Sequence, residues 1–256
     1  MSRILIFCLS CLVVLGLQTF PVCAQTTPDV KTVKTSPLDE PLALIAKGKQ
    51  VYQNVQDYSC TMVSQERIRG KLQPEQVILF KFRNQPYSVA MKWMAPKKLK
   101  GQEVYFVWGK NDNKMRVLGS GIKRIAGFVS IGLQDPRAKA NTNHSITEAG
   151  IWALMEKTRK DWERERQFNR VKVEVGDFVF HKRPCKRVEV TYLQHVPEAY
   201  CYRTVLFVDS QTSLPVRVEC YDWPTTGGQA GGDLKEVFSY MNMQYNLNLT
   251  DQDFIR

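Results

Sequence analysis

Beyond residue 24 the chain has no run of 18 consecutive apolar residues, so an integral membrane protein built on spanning helices is excluded. Histidine is scarce. His144, His181 and His195 stand far apart, outside any His-x-His or His-Glu-x-x-His arrangement, so no metal site is expected. His144 and Glu148 are four apart, a spacing that can share a helix face, but the sequence offers no third ligand beside them. There is no Gly-x-Ser-x-Gly elbow, which removes the usual nucleophile signal of a hydrolase. Glycines cluster at Gly227, Gly228, Gly231 and Gly232, yet no Gly-Lys-Ser or Gly-Lys-Thr follows and no strand–loop–helix frame surrounds them. That stretch reads as a hairpin loop, and no cofactor is expected.

What is present begins with an export signal. Arg3 supplies a positive start, Ile4 to Leu17 is apolar, and Val22-Cys23-Ala24 precedes Gln25 as a small-residue cleavage site. The apolar run is too short for a permanent span. Of 256 residues, 36 are Lys or Arg and 25 are Asp or Glu. Removing residues 1–24 leaves 232 residues with a formal charge of +10 and four cysteines: Cys60, Cys185, Cys201 and Cys220. In an oxidising compartment four cysteines allow three pairings, and buried free thiols are the alternative. Cys201 and Cys220 flank a hairpin turning near Gln211, which places them nearly opposite and favours that disulfide; a slip of one residue would separate them.

Residues 25–37 lack periodicity and read as a flexible linker. Ser36-Pro37 then opens a helix to about Asn54, with Leu38, Leu42, Ile45 and Tyr52 on one side and Asp39 and Glu40 near its positive end. The period next becomes two. Strands are predicted around Tyr58–Met62, Ile78–Phe82, Tyr87–Trp93, Val104–Trp108 and Lys114–Leu118, an antiparallel meander. From Gly119 the rhythm breaks, and Ile122, Ile125, Val129 and Leu133 are spaced for short helical turns. Ser145-Ile146-Thr147-Glu148 is a capping box, predicting a helix to about Phe168 with Ile151, Leu154, Met155 and Trp162 on its apolar face. Five further strands follow: Val171–Phe180, Lys186–Leu193, Cys201–Val208, Val216–Tyr221 and Lys235–Tyr245. Asp209 falls in a hairpin turn, where a turn-stabilising side-chain bond is its expected role. The chain therefore reads as mainly β (α+β), one large antiparallel sheet over 38–256 whose apolar face only the two helical segments can cover.

Basic residues gather at Lys92, Lys97, Lys98, Lys100, Lys110, Lys114, Arg116, Lys123 and Arg124. An exported chain rarely meets nucleic acid, so anionic lipid or polysaccharide is the partner this charge suggests, the alternative being an ordinary solvated surface. On the sheet face, Ile78, Phe80, Phe82, Val89, Met91 and Trp93 are either core or the wall of an apolar cavity. Alternation fixes the face they share and leaves open whether it is filled or hollow.

Three stretches carry a family resemblance: Lys92-Trp93-Met94-Ala95-Pro96, the run from Gly101 to Met115 (GQEVYFVWGKNDNKM), and His144-Ser145-Ile146-Thr147-Glu148-Ala149-Gly150-Ile151. They resemble a bacterial family of exported proteins of unknown function. The order helix, strands, helical insert (about 119–168), strands resembles the LolA/LolB-like lipoprotein-carrier fold. That resemblance implies an antiparallel sheet curved into an unclosed barrel under a helical lid. It also implies a non-enzymatic, periplasmic or envelope protein holding a lipid or lipoprotein acyl chain in its concave face. An envelope-binding module with a filled core is the second reading, and a hydrolase the third.

Overall fold

The structure is a computed structural model that describes residues 35–225 and 228–255. The predicted leader at 1–24 and most of the predicted linker lie outside the described residues. Helix α1 spans Asp39–Tyr52 and buries Pro41, Ile45 and Tyr52. The strands are β1 (Asp57–Ile68), β2 (Lys71–Leu72), β3 (Gln76–Arg83), β4 (Ser88–Ala95), β5 (Glu103–Val107), β6 (Met115–Leu118) and β7 (Phe128–Ile131). After helix α2 (Ile151–Glu165) come β8 (Val171–Phe180), β9 (Arg183–Tyr192), β10 (Arg203–Asp209), β11 (Pro215–Tyr221) and β12 (Leu234–Tyr245).

All the ladders are antiparallel, and the order is β7-β6-β5-β4-β3-β1-β12-β11-β10-β9-β8, with β2 paired on β1. Two meanders of consecutive strands thus meet along one seam, β1 against β12, the closure of the longest chain separation in the sheet. Strands β7 and β8 end the order, each with one neighbour, β6 and β9, and do not pair with each other, so the sheet stays open. Among the described residues no helix is long and apolar enough to cross a membrane.

Burial follows the period of two. In β3, Ile78, Phe80 and Phe82 are buried while Leu79 is exposed. Their face joins Tyr58, Tyr52, Ile45, Ile151 and Met155 in the main core under α1 and α2. The opposite face carries two small clusters. One, around Tyr105 and Val107, is sealed by Phe254 of the C-terminal tail; the other gathers Cys185, Val205, Phe207 and Val216. Asp209 is fully buried, and its Oδ1 accepts from Gln211 N (3.0 Å), Thr212 N (2.7 Å) and Thr212 Oγ1 (3.0 Å), the turn-stabilising role its position suggested.

Two local readings change. Phe128–Ile131 is a strand paired on β6, so the expected short helical turns are Gly121–Ala126 and, further on, Pro136–Lys139. The capping box is present, with Ser145 and Glu148 satisfying each other's ends, but it caps a single 3-10 turn at Ile146–Glu148. Gly150 then breaks the path at φ 101°, ψ 164°, a region nearly confined to glycine, and α2 starts afresh at Ile151.

Candidate functional site

The core face is packed at one end and hollow at the other. At the packed end Tyr58 stacks on Phe82 with ring centroids 5.2 Å apart, and Phe82 meets Tyr87 edge-on at 5.1 Å. Tyr58 Oη accepts from Ile151 N (3.0 Å), fixing the start of α2 on this aromatic cluster. Toward the other end of β1, β3 and β4 the face opens onto a cavity of about 580 Å³. Its apolar wall includes Met62, Ile78, Met91, Trp93, Val104 and Phe238, from β1, β3, β4, β5 and β12. Residues from both meanders reach one cavity, so the sheet wraps around it. Residues of the insert (Arg137–Gly150) and of α2 line the remaining side.

The six residues assigned to the wall from alternation divide between these two environments. Ile78, Met91 and Trp93 line the cavity. Phe80, Phe82 and Val89 lie in the packed core, at 1%, 2% and 0% exposure. Spacing along a strand carries no information on how far along it the covering helices press down, and that distance separates the two sets.

The cavity also has a polar end that sequence reasoning missed. Glu66 of β1 stands directly opposite Glu236 of β12 in the seam. Like charges in such a position repel, and both side chains are almost fully buried. His144 of the insert resolves the conflict: its Nε2 lies 2.7 Å from Glu236 Oε2, and Tyr200 Oη donates to the same oxygen at 2.7 Å. Glu66 Oε2 accepts the backbone N–H of Asn143 at 2.7 Å. Burial opposes charge on His144, but the hydrogen bond to Glu236 and its negative charge outweigh it and leave the imidazole pKa above its ordinary value. Glu236 shows the mirror effect, held below the usual carboxylate range by His144 despite burial. For Glu66, burial outweighs the lowering by the Asn143 N–H, Thr142 and His144, and its pKa is raised. Lys157, with Nζ 3.5 Å from the Tyr200 ring centroid, adds a positive charge beside this group.

One ligand atom from each of Glu66, His144 and Glu236 falls within 4.8 Å of the other two, so these are the described side chains able to gather about a metal ion. Glu148, four residues from His144, is not among them; both carboxylates come from strands far away in the chain, β1 and β12. Chemically, the arrangement ties the insert to both meanders at the seam. Gln76 extends it, accepting from Trp93 Nε1 (2.6 Å) and donating to Asn141 O (3.3 Å).

The structure brings Cys201 and Cys220 together, as thiols. Cys60, Cys185, Cys201 and Cys220 are all buried free thiols. The hairpin register sets Thr204 opposite Cys220, and the Cys201 thiol, 3.2 Å from Thr204 Oγ1, also reaches the Cys220 thiol as a hydrogen-bond partner.

A family model described as a protein of unknown function (DUF1571) matches residues 55–256, covering every strand of the sheet and α2. The chain belongs to the DUF1571 family. This agrees with the motif resemblance to an unknown-function family. No curated protein matches this DUF1571 chain. Several solved structures are similar to it. The Mycobacterium tuberculosis lipoprotein LppX is 10% identical, with a TM-score of 0.47, over 83% of this chain and 100% of that one. A putative outer membrane lipoprotein-sorting protein domain from Vibrio parahaemolyticus is 10% identical, with a TM-score of 0.39, over 84% and 95%. A LolA superfamily protein from Nitrosomonas europaea is 11% identical, with a TM-score of 0.33, over 84% and 96%.

Proposed function

We propose that this DUF1571 protein is an exported, non-enzymatic carrier that holds an acyl chain or similar apolar ligand inside the sheet. The observation that supports the reading is the cavity itself. At about 580 Å³ it lies within the range of small-molecule sites, with an apolar wall and a few convergent polar groups at one end. An acyl chain seated there makes dispersion contacts with this lining. The titratable groups at the polar end are engaged with one another and with backbone N–H, which favours orientation of a ligand over turnover of one.

The test is extraction of the purified protein followed by lipid mass spectrometry, with uptake of an apolar fluorescent probe by the delipidated form. A co-purifying amphiphile, or probe uptake displaced by a fatty acyl compound, is expected. A clean extract together with no uptake would overturn the proposal.

A further inference from the structure

The turn Gly121–Ala126, which connects β6 to β7 at the edge of the sheet, leaves two isoleucines in water. Ile122 and Ile125 are each 84% exposed. Residues three apart in a 3-10 turn stand one above the other, so both side chains project on one side of the turn. A lone exposed isoleucine is ordinary, whereas two on one turn tip form an anchor. Exposed Lys123 and Arg124 lie between them, and the loop carrying exposed Lys97, Lys98 and Lys100 is fastened alongside. Ser120 Oγ donates to Lys98 O at 2.7 Å, and Arg124 Nη1 donates to Gly101 O at 2.6 Å.

The charge is one-sided. From Val104 to Gln134 the only acidic residue is Asp112, which sits at the far turn beside Lys114. Glu103 answers Lys92 and Arg124 at 3.8 and 3.6 Å, while Lys97, Lys98, Lys100 and Lys123 form no ion pair among the described residues. We propose that this tip is a membrane-docking element, Ile122 and Ile125 entering the interface of an anionic lipid bilayer while the unpaired Lys97, Lys98, Lys100 and Lys123 meet its head groups. Apolar side chains flanked by lysine and arginine are what an interfacial anchor requires, because neither contribution alone gives stable attachment. The partner is a bilayer and not a second copy of this chain, whose matching face would set the same cations against each other. The tip also adjoins the cavity: Gly101, which accepts from Arg124, is followed by Gln102 in the cavity lining. Docking does not depend on the cavity being loaded.

The test is co-sedimentation of the purified chain without its predicted leader (residues 25–256) with vesicles of phosphatidylcholine, with and without about one-third phosphatidylglycerol, at about 0.1 M salt. Wild type is expected to pellet with the anionic vesicles and to be released at roughly tenfold higher salt. Ile122→Asp and Ile125→Asp each lower the partition coefficient by roughly tenfold or more, and Lys123→Glu lowers it by about fivefold or more. These positions are exposed, so the variants keep the wild-type urea midpoint, which separates loss of docking from loss of fold. Equal pelleting of wild type and the isoleucine variants overturns the proposal. So does absence of vesicle binding combined with a dimer that Ile122→Asp dissociates, which would make a second copy the occupant. The proposal also fails if binding is equal on neutral vesicles.

Discussion

Replacing Gly150 with alanine tests the packed end of the sheet and the hinge between the capped turn and α2 together. The backbone there sits at φ 101°, ψ 164°, where a side chain costs about 1–3 kcal/mol. The new methyl has no room: a Cβ would lie 2.9 Å from Phe82 Cε2, 3.0 Å from Tyr58 Oη and 3.2 Å from Phe82 Cδ2. Those rings are fully buried and stacked, so relief requires moving the aromatic cluster, at a further ~1–3 kcal/mol for overpacking. The expected loss is about 3–5 kcal/mol, read as a fall in the urea midpoint at unchanged slope. Gly70→Ala provides the control, because Gly70 has φ 77° and nothing within 4 Å of the added carbon. It retains the backbone term and lacks the clash, so a loss of about 1 kcal/mol is expected. Equal losses for the two variants would refute the packing argument. A loss under about 1 kcal/mol for Gly150→Ala would show that the insert does not lean on Phe82 and Tyr58 as described.

Trp93→Asp places a carboxylate in the cavity wall and removes the indole N–H that Gln76 accepts, so probe uptake is expected to fall by at least about tenfold; uptake equal to wild type would move the binding site elsewhere. The His144–Glu236 pair predicts a specific pH dependence. With its pKa raised, His144 contributes fully below its unfolded value of about 6.5, and that contribution is lost as pH rises through the folded value. With its pKa lowered, Glu236 contributes fully above about 4.3 and loses its contribution as pH falls, while Glu66, raised by burial, acts in the opposite sense and flattens the acid side. The alkaline limb is therefore diagnostic: the urea midpoint should decline from about pH 6.5 upward in wild type and not in His144→Gln, and parallel profiles would count against the pair. Cys60, buried and with its thiol pushed well up by burial alone, should resist a thiol reagent in the folded protein and react only after unfolding in urea; rapid native labelling would show that β1 opens locally.

Local chemistry written along the chain determined most of the elements. The alternation of β8 and the last strands, the first-turn acids of α1, the face of α2 and the capping at Ser145 and Glu148 all depend on neighbours within a few residues, so spacing alone exposes them. The same locality explains the misreading of Val129: its spacing from Ile125 fits a helical turn, while pairing with Val117 on β6 makes it a strand. Tertiary structure decided what no local pattern encodes. The β1–β12 seam joins residues from the two ends of the domain, and only that pairing sets Glu66 against Glu236 and gives His144 its purpose. It also decided that Phe80 and Phe82 are core while Ile78 and Trp93 face open space. Strand period selects a face, but how far α1, α2 and the insert reach across that face is fixed by their packing against residues distant in the chain.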